Sequence, residues 1–267
     1  MIEIVKSDFP HGPFQAAVFD FDGTLSLLRR NWQDVMIPMM VKILAATNTS
    51  ETTRELQTIV EEFVMRLNGR QTIYQMIRLA EEVAQRGTSP QEPLDYKRLY
   101  HDLLWKQVGD RVAGVREGRV DAETMTVPGI RPLLERMANN ATVLYLASGT
   151  DLHYVQEELR VLQLDEYFEE RVYGALDDYK SFSKAKIVNE IVVASGVPGP
   201  ALIGFGDGFV EIEEVQKVGG LAVGVASNED TRTGINDWKR NRLIQAGAHL
   251  IIGDYRDLDE LAAAIGI

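Results

Sequence analysis

The stretch AAVFDFDGTL, residues 16–25, joins a short apolar run to two aspartates that are separated by one phenylalanine. The run is typical of a buried β-strand, and Asp20 and Asp22 stand at its carboxyl end. Two carboxylates at close range repel each other unless a proton or a cation lies between them. The stretch therefore predicts a strand that ends at a charged site.

Further apolar runs predict more strands, and each ends in a small or polar residue: residues 142–148, 201–207, 221–227 and 249–254. Because these runs are continuously apolar rather than alternating, they are typical of strands buried on both faces of a parallel sheet. Helical patterns between most of them suit the crossover helices of β-α-β units. We therefore predict a doubly wound α/β fold, in which ligands bind at the carboxyl ends of the strands.

The segment after the first strand has only helical periodicity. Apolar residues recur at spacings of three and four in four successive stripes, and no strand-like run interrupts them. We predict an all-helical domain, residues 26–127, inserted into an α/β domain that is formed by residues 1–25 and 128–267. The methionines and Trp32 of the first stripe indicate a helical core, with a flexible binding surface as the alternative.

The composition limits which partners and which cellular compartment are expected. The 267 residues include 40 acidic and 28 basic side chains, a formal net charge of −12, which disfavours nucleic acid and an anionic membrane surface as partners. There is no cysteine, so disulfides and thiolate metal sites are excluded. The N-terminus lacks a signal-peptide pattern, and no apolar run approaches the roughly 18 residues of a membrane span. We expect a soluble, cytoplasmic protein.

Polar groups at the ends of the predicted strands suit phosphoryl transfer. Asp20, Asp22 and Asp207 offer the hard oxygen ligands that Mg²⁺ prefers. A carboxylate is a competent nucleophile toward phosphorus, and a second carboxyl group can move the proton. Lys184 and Ser148, the latter within Ser148-Gly149-Thr150, would bind the phosphoryl oxygens.

Taken in order, these motifs resemble those of the haloacid dehalogenase superfamily of phosphohydrolases. DFDGTL at 20–25 resembles the first motif, ASGT at 147–150 the second, Lys184 the third, and GDGFVE at 206–211 the fourth. The resemblance implies a Rossmann-like core, and it implies that the helical insertion is a C1 cap that closes over the site. It further implies that Asp20 is the nucleophile, that Asp22 is the acid/base and that Ser148 binds phosphate.

The third and fourth motifs leave alternatives open. The family commonly has aspartate where this chain has Glu211, so Glu211 either reaches the metal or its waters, or only orients Lys184. We take Asp207 as the metal ligand and place Glu211 behind the ligands. Lys180 and Lys186 lie near the expected place of the third motif as well. We favour Lys184 because it follows Ser183, a suitable N-cap for the next helix.

The substrate is expected to be set by the helical domain. The segment 67–76 predicts a loop between two helical stripes, and its Arg70 and Gln71 are candidate substrate contacts together with Gly149 and Thr150. The alternative is that Arg70 and Gln71 only cap and solvate a helix junction. The resemblance implies that a closed cap admits small phosphorylated metabolites and excludes macromolecules.

The leading hypothesis is a Mg²⁺-dependent phosphatase that hydrolyses a small phosphate monoester, such as a sugar phosphate or a phosphoglycolate-like compound, through an aspartyl-phosphate. A phosphomutase of the β-phosphoglucomutase kind shares all four motifs and is the first alternative. A non-catalytic ligand-binding or regulatory protein on the same fold is the second, and the presence of Asp22 argues against it. Haloacid dehalogenation is disfavoured, because it needs neither Asp22 nor a metal and this chain offers both.

Overall fold

A computed structural model describes residues 2–176, 178, 183–193 and 196–267. Within these residues the chain forms the following α-helices: α1 (Gln33–Ala45), α2 (Thr53–Leu67), α3 (Thr72–Gln85), α4 (Pro93–Arg116), α5 (Ile130–Asn139), α6 (Leu152–Val161), α7 (Asp165–Phe168), α8 (Lys184–Val193), α9 (Phe209–Lys217), α10 (Asp237–Ala246) and α11 (Leu258–Ile265). Two short 3₁₀ turns lie at Ala122–Met125 and Gly199–Ala201. No helix of the described part is both long and apolar enough to cross a membrane.

The chain divides into two compact units. Unit 1 comprises Met1–Arg30 and Val112–Ile267, and unit 2 comprises Asn31–Arg111. The predicted helical insertion, residues 26–127, is longer than unit 2: residues 26–30 and 112–127 fall in unit 1 by this division, and the second boundary lies within helix α4.

Unit 1 is built on one sheet of seven strands: β1 (Ile2–Ile4), β2 (Ala16–Phe19), β3 (Val143–Asp151), β4 (Val172–Ala175), β5 (Leu202–Gly206), β6 (Leu221–Val225) and β7 (Leu250–Ile252). Their order in space is β1-β7-β6-β5-β2-β3-β4. All neighbours are parallel except β1, which pairs antiparallel with β7. The predicted doubly wound α/β fold is confirmed.

The topology identifies where a ligand would bind. Strand β2 lies between β3 and β5, and the chain moves outward from it in one direction to β4 and in the other to β7. The carboxyl ends of β2 and β5 therefore flank the point at which the strand order reverses, where doubly wound sheets bind ligands. Phe19 and Phe205, at corresponding positions of these strands, stack with ring centroids 4.7 Å apart in the core.

Two strands have no counterpart in the sequence prediction. Strand β4 has four residues, VYGA, and β1 has three, IEI. Both lie at the edges of the sheet, where a strand is covered less completely than in the centre. A long continuous apolar run, the signal of the central strands, is therefore not required of them.

Hydrogen bonds within unit 1 join the two ends of the helical insertion. The amide of Leu27 donates to the carbonyl of Met125 at 2.8 Å, and the amide of Val127 donates to the carbonyl of Leu25 at 3.0 Å. The chain thus leaves the α/β unit and returns to it at neighbouring positions, close to the end of the first motif.

Unit 2 consists of packed helices. Helices α1, α2 and α3 contact one another, and each buries part of its apolar stripe, including Met36 and Met40 on α1, Phe63 on α2 and Met76 on α3. Helix α2 begins with a capping box, in which the Thr52 hydroxyl accepts from the amide of Glu55 and the Glu55 carboxylate accepts from the amide of Thr52.

Candidate active site

Asp20 directly follows β2, and its carboxyl group is buried at the centre of the sheet edge. Its backbone amide donates to the carbonyl of Phe205 at 2.9 Å, which holds it beside β5. Its Oδ1 accepts from the amide of Phe21 at 2.8 Å and lies 2.9 Å from Lys184 Nζ. The carboxylate is therefore fixed by a backbone donor and a buried ammonium group.

Lys184 connects the first and fourth motifs. Its ammonium group is buried at the first position of α8 and also donates to Glu211 Oε2 at 2.9 Å. The other oxygen of Glu211 accepts from the amide of Gly208 at 2.7 Å, closing the first turn of α9. Burial alone would lower the pKa of Lys184, but Asp20 and Glu211 raise it above its usual range. Glu211 therefore orients Lys184.

Three buried or partly buried carboxyl groups converge beside this lysine. Asp20, Asp207 and Glu211 each offer one oxygen, and these oxygens lie within 4.8 Å of one another. Burial raises the pKa of Asp20 and of Asp207, although Lys184 and Lys239 act in the opposite direction. Burial disfavours the charged form of these carboxyl groups. A cluster of hard oxygen donors of this kind fits a divalent cation such as Mg²⁺.

Asp22 is not one of the three members of this cluster. Thr150 Oγ1 donates to Asp22 Oδ2 at 2.7 Å. Asp22 Oδ1 is buried without a hydrogen-bond partner among the described residues, although Arg29 Nε lies 3.9 Å from it. Burial raises the pKa of Asp22 to about 7, while Arg29 and Thr150 oppose the shift and Glu158 adds to it.

The second motif forms the irregular end of β3. The register between β3 and β4 shifts between Ala147 and Asp151, so the backbone of Ser148, Gly149 and Thr150 departs from the regular ladder. Ser148 is buried, and its hydroxyl accepts from the amide of Thr150 at 3.1 Å. Thr150 brings this segment to Asp22 through the hydroxyl bond described above.

A second buried lysine, which the sequence analysis missed, borders the cluster. Lys239 Nζ on α10 lies 2.8 Å from Asp207 Oδ2 and 2.6 Å from Glu229 Oε1. Burial alone would lower the pKa of Lys239, but Asp207 and Glu229 raise it. No local sequence pattern marks Lys239, because it lies on α10, well after the carboxyl end of β6, which is next to that of β5.

The comparison with known proteins identifies the family. The sequence pattern of haloacid dehalogenase-like hydrolases matches residues 14–219, well over half of the chain. This chain belongs to the haloacid dehalogenase-like hydrolase family. The resemblance that the motifs indicated is therefore confirmed. No curated protein is significantly similar to the sequence.

Solved structures of this fold cover nearly the whole chain. A predicted phosphoglycolate phosphatase from Haemophilus somnus is 16% identical, with a TM-score of 0.61 over 93% of this chain and 98% of its own. A family IA haloacid dehalogenase-type hydrolase from Entamoeba histolytica is 19% identical, with a TM-score of 0.61 over 95% and 100%. A β-phosphoglucomutase from Clostridium difficile is 16% identical, with a TM-score of 0.57 over 87% and 98%. At these identities the likeness shows the fold.

The alternative lysines and the candidate substrate contacts of the helical insertion lie outside the carboxylate cluster or outside the described residues. Lys186 is exposed on α8, and its amide donates to the Ser183 hydroxyl at 3.2 Å, while Lys180 lies outside the described residues. Arg70 and Gln71 belong to unit 2, where Arg70 is exposed and Gln71 is the buried residue before α3. Their contact with a substrate stays a prediction.

Proposed function

We propose that the protein is a Mg²⁺-dependent phosphatase that hydrolyses a small phosphate monoester through an aspartyl-phosphate on Asp20. The observation that carries the proposal is the position of Asp20, which is held at the switch point of the sheet by Lys184 and lies in one cluster with Asp207 and Glu211. Membership in the hydrolase family supports it.

The proposed metal would be held by Asp20, Asp207 and Glu211. When bound, Mg²⁺ supplies positive charge that favours the ionised form of Asp20 and stabilises negative charge on the transferring phosphoryl group. Asp22, a ligand candidate from the sequence, is not among the three carboxyl groups that converge beside Lys184, and we assign its carboxyl group to proton transfer instead.

In the first step, an Asp20 carboxylate oxygen attacks phosphorus and the ester P–O bond breaks. The leaving oxygen takes a proton from the carboxyl group of Asp22, which burial keeps partly protonated near pH 7. In the second step, water attacks phosphorus and gives its proton to the Asp22 carboxylate. The bond between phosphorus and Asp20 then breaks, which releases inorganic phosphate and restores both aspartates.

Charge and hydrogen-bond donors around Asp20 would bind the phosphoryl oxygens. The Lys184 ammonium group lies 2.9 Å from Asp20 Oδ1, close enough to stay in contact with a group transferred to that carboxylate. The Ser148 hydroxyl and the backbone amides of the irregular segment 148–150 are the donors on the β3 side. Helical unit 2 is proposed to act as the cap, with Arg70 and Gln71 as candidate contacts to the leaving group.

Replacing the nucleophile tests the chemistry. We expect Asp20→Asn to reduce Mg²⁺-dependent release of phosphate from a generic aryl phosphate by at least roughly 10³-fold, because an amide cannot form the acyl phosphate. The matched control is Asp165→Asn, which changes an exposed aspartate on α7 and should leave the rate unchanged. Equal turnover by wild type and Asp20→Asn would overturn the proposal.

A panel of phosphorylated metabolites then separates phosphatase from mutase. The fold likeness to a β-phosphoglucomutase makes phosphomutase the second candidate. A hexose 1-phosphate is incubated with the protein and Mg²⁺, and both free phosphate and the 6-phosphate isomer are measured. Free phosphate alone supports the phosphatase, whereas accumulation of the 6-phosphate isomer contradicts it and supports the mutase.

A further inference from the structure

The Asp207 carboxylate is shared between the carboxylate cluster and a second buried lysine. Lys239 exposes only 7% of its side chain, and its Nζ lies 2.8 Å from Asp207 Oδ2. The same ammonium group lies 2.6 Å from Glu229 Oε1 and donates to Ser227 Oγ at 3.1 Å. One cation is therefore held between a member of the candidate metal site and a carboxylate outside it.

The turn of the first motif packs directly against this pair. Gly23 has φ +72°, and a Cβ atom at this position would overlap Asp207 Oδ2 and lie 2.9 Å from Lys239 Nζ. The Ser227 hydroxyl donates to the carbonyl of Gly23 at 2.5 Å. The loop after β6, helix α10 and the first motif thus meet at Lys239.

We propose that Lys239 is a positioning residue that competes with the divalent cation for Asp207, and that Glu229 weakens this competition by drawing the ammonium group toward itself. The inference rests on the proposed function, because it takes Asp20, Asp207 and Glu211 as the metal site. It adds two residues, Lys239 and Glu229, that set how tightly that site binds its metal.

The charges decide whether Lys239 strengthens or weakens Mg²⁺ binding. A buried ammonium group 2.8 Å from a ligand oxygen repels a divalent cation at that oxygen, and burial leaves this repulsion poorly screened. Lys239 also holds Asp207 in place, which would favour metal binding. Asp207 is positioned as well by β5, which it directly follows, and by its contact with Gly23. We therefore expect the charge of Lys239 to dominate.

Glu229 is expected to strengthen binding of the divalent cation, whereas Lys239 is expected to weaken it. Its side chain is 16% exposed and faces Lys239 from the loop after β6. When it is neutralised, Lys239 keeps Asp207 as its one remaining anionic partner among those described above, and one negative charge near the metal is lost. Both changes disfavour a divalent cation.

The experiment measures Mg²⁺ binding without substrate, by isothermal titration calorimetry, with Mn²⁺ binding followed by electron paramagnetic resonance as a second readout. We expect Lys239→Met and Lys239→Gln to lower the Kd for Mg²⁺ about tenfold, and Glu229→Gln to raise it about tenfold. Lys217→Met is the matched control, because it removes the same charge from an exposed pair with Glu214 and should leave the Kd within about twofold of wild type.

Asp207→Asn separates failure of the inference from failure of the proposed function. If wild type binds no Mg²⁺, or if Asp207→Asn binds as tightly as wild type, the proposed metal site is wrong and the inference falls with it. If Asp207→Asn abolishes binding but both Lys239 variants bind Mg²⁺ as wild type does or more weakly, only the inference is wrong. If the Lys239 variants do not fold, Glu229→Gln decides, and an unchanged or lower Kd overturns the inference.

Discussion

Asp20 and Asp22 stand two residues apart, yet they meet different amounts of positive charge. Asp20 lies 2.9 Å from the ammonium group of Lys184, whereas Asp22 has Arg29 at 3.9 Å, and Arg29 is itself paired with Glu158. The pKa of Asp22 rises to about 7, chiefly through burial. A carboxyl group with this pKa can give and take a proton near neutrality, which is what the proposed acid/base residue must do.

The raised pKa of Asp22 predicts a pH-dependent cost in stability. The folded protein binds a proton at Asp22 more tightly than the unfolded chain does, so this contribution falls as the pH rises from about 4 to about 7. Asp22→Asn removes the titration. We expect the variant to be more stable than wild type by ~2–4 kcal/mol at pH 8, with the difference shrinking toward pH 4.

Urea unfolding at a series of pH values, without added metal, measures this difference. Asp165→Asn serves as the control, because it makes the same replacement at an aspartate that is exposed on α7. Parallel curves for Asp22→Asn and wild type would show that Asp22 ionises in the folded protein as it does in the unfolded chain.

At this scale the sequence indicates some members of the site and not others. Asp20 and Asp207 follow apolar strands directly, so the topology of the sheet alone brings them to one edge. Lys239 and Glu229 come from a helix and a loop after β6, where the sequence reads as an ordinary polar connection. Which side chains of this segment point toward Asp207 depends on packing against Gly23 and Ser227. No local sequence pattern encodes that packing.

Between elements, a buried ion pair ties the segment after the first motif to α6. Arg29 Nη2 lies 2.6 Å from Glu158 Oε1, and Arg29 Nε donates to the same oxygen at 3.0 Å. Their side chains are 7% and 0% exposed, and the Arg29 guanidinium also lies 5.2 Å from the ring centroid of Tyr154. The pair therefore holds the residues around Asp22 against the helix that follows the second motif.

Breaking this pair on one side is expected to destabilise the protein strongly. Glu158→Met removes the closer of two carboxylates beside the buried Arg29 charge and leaves Asp22 at 3.9 Å, at a cost of about 3–5 kcal/mol in the free energy of unfolding. The double variant Arg29→Met, Glu158→Met removes both charges and should recover most of that loss.

The neighbouring residue on α6 provides the control for this prediction. Glu157 lies 2.6 Å from Arg116 Nη2, but the two side chains are 38% and 57% exposed, so Glu157→Met should cost less than about 1 kcal/mol. Equal losses for Glu157→Met and Glu158→Met in urea unfolding would mean that burial adds nothing to the interaction of Arg29 with Glu158.

The sequence predicts the strands correctly where both faces of the strand are buried. Strands β2, β5 and β6 are buried along their whole length, and their continuous apolar runs signal this directly. The extension of β3 to Asp151 was not predicted, because Ser148, Gly149 and Thr150 read as a turn. They lie in the register shift between Ala147 and Asp151, where β3 departs from regular pairing with the edge strand β4, so no regular pattern marks them as strand.

Over the whole molecule, the negative charge has opposite consequences for the two proposed ligands. A net charge of −12 repels an anionic phosphate ester and attracts Mg²⁺. Salt screens both effects, since the Debye length falls from about 30 Å at 0.01 M to about 8 Å at 0.15 M ionic strength. The affinities for substrate and for metal should therefore change in opposite directions when salt is added.

We expect kcat/KM for a dianionic phosphate ester to rise severalfold between about 0.01 and 0.15 M ionic strength at saturating Mg²⁺, because the repulsion that slows the encounter is screened. Over the same range the Kd for Mg²⁺ should also rise severalfold, because screening weakens attraction. Steady-state kinetics and calorimetry measure the two quantities separately, with potassium chloride as the salt. A fall in kcat/KM over this range would mean that local cations such as Lys184, and not the net charge, control the approach of the substrate.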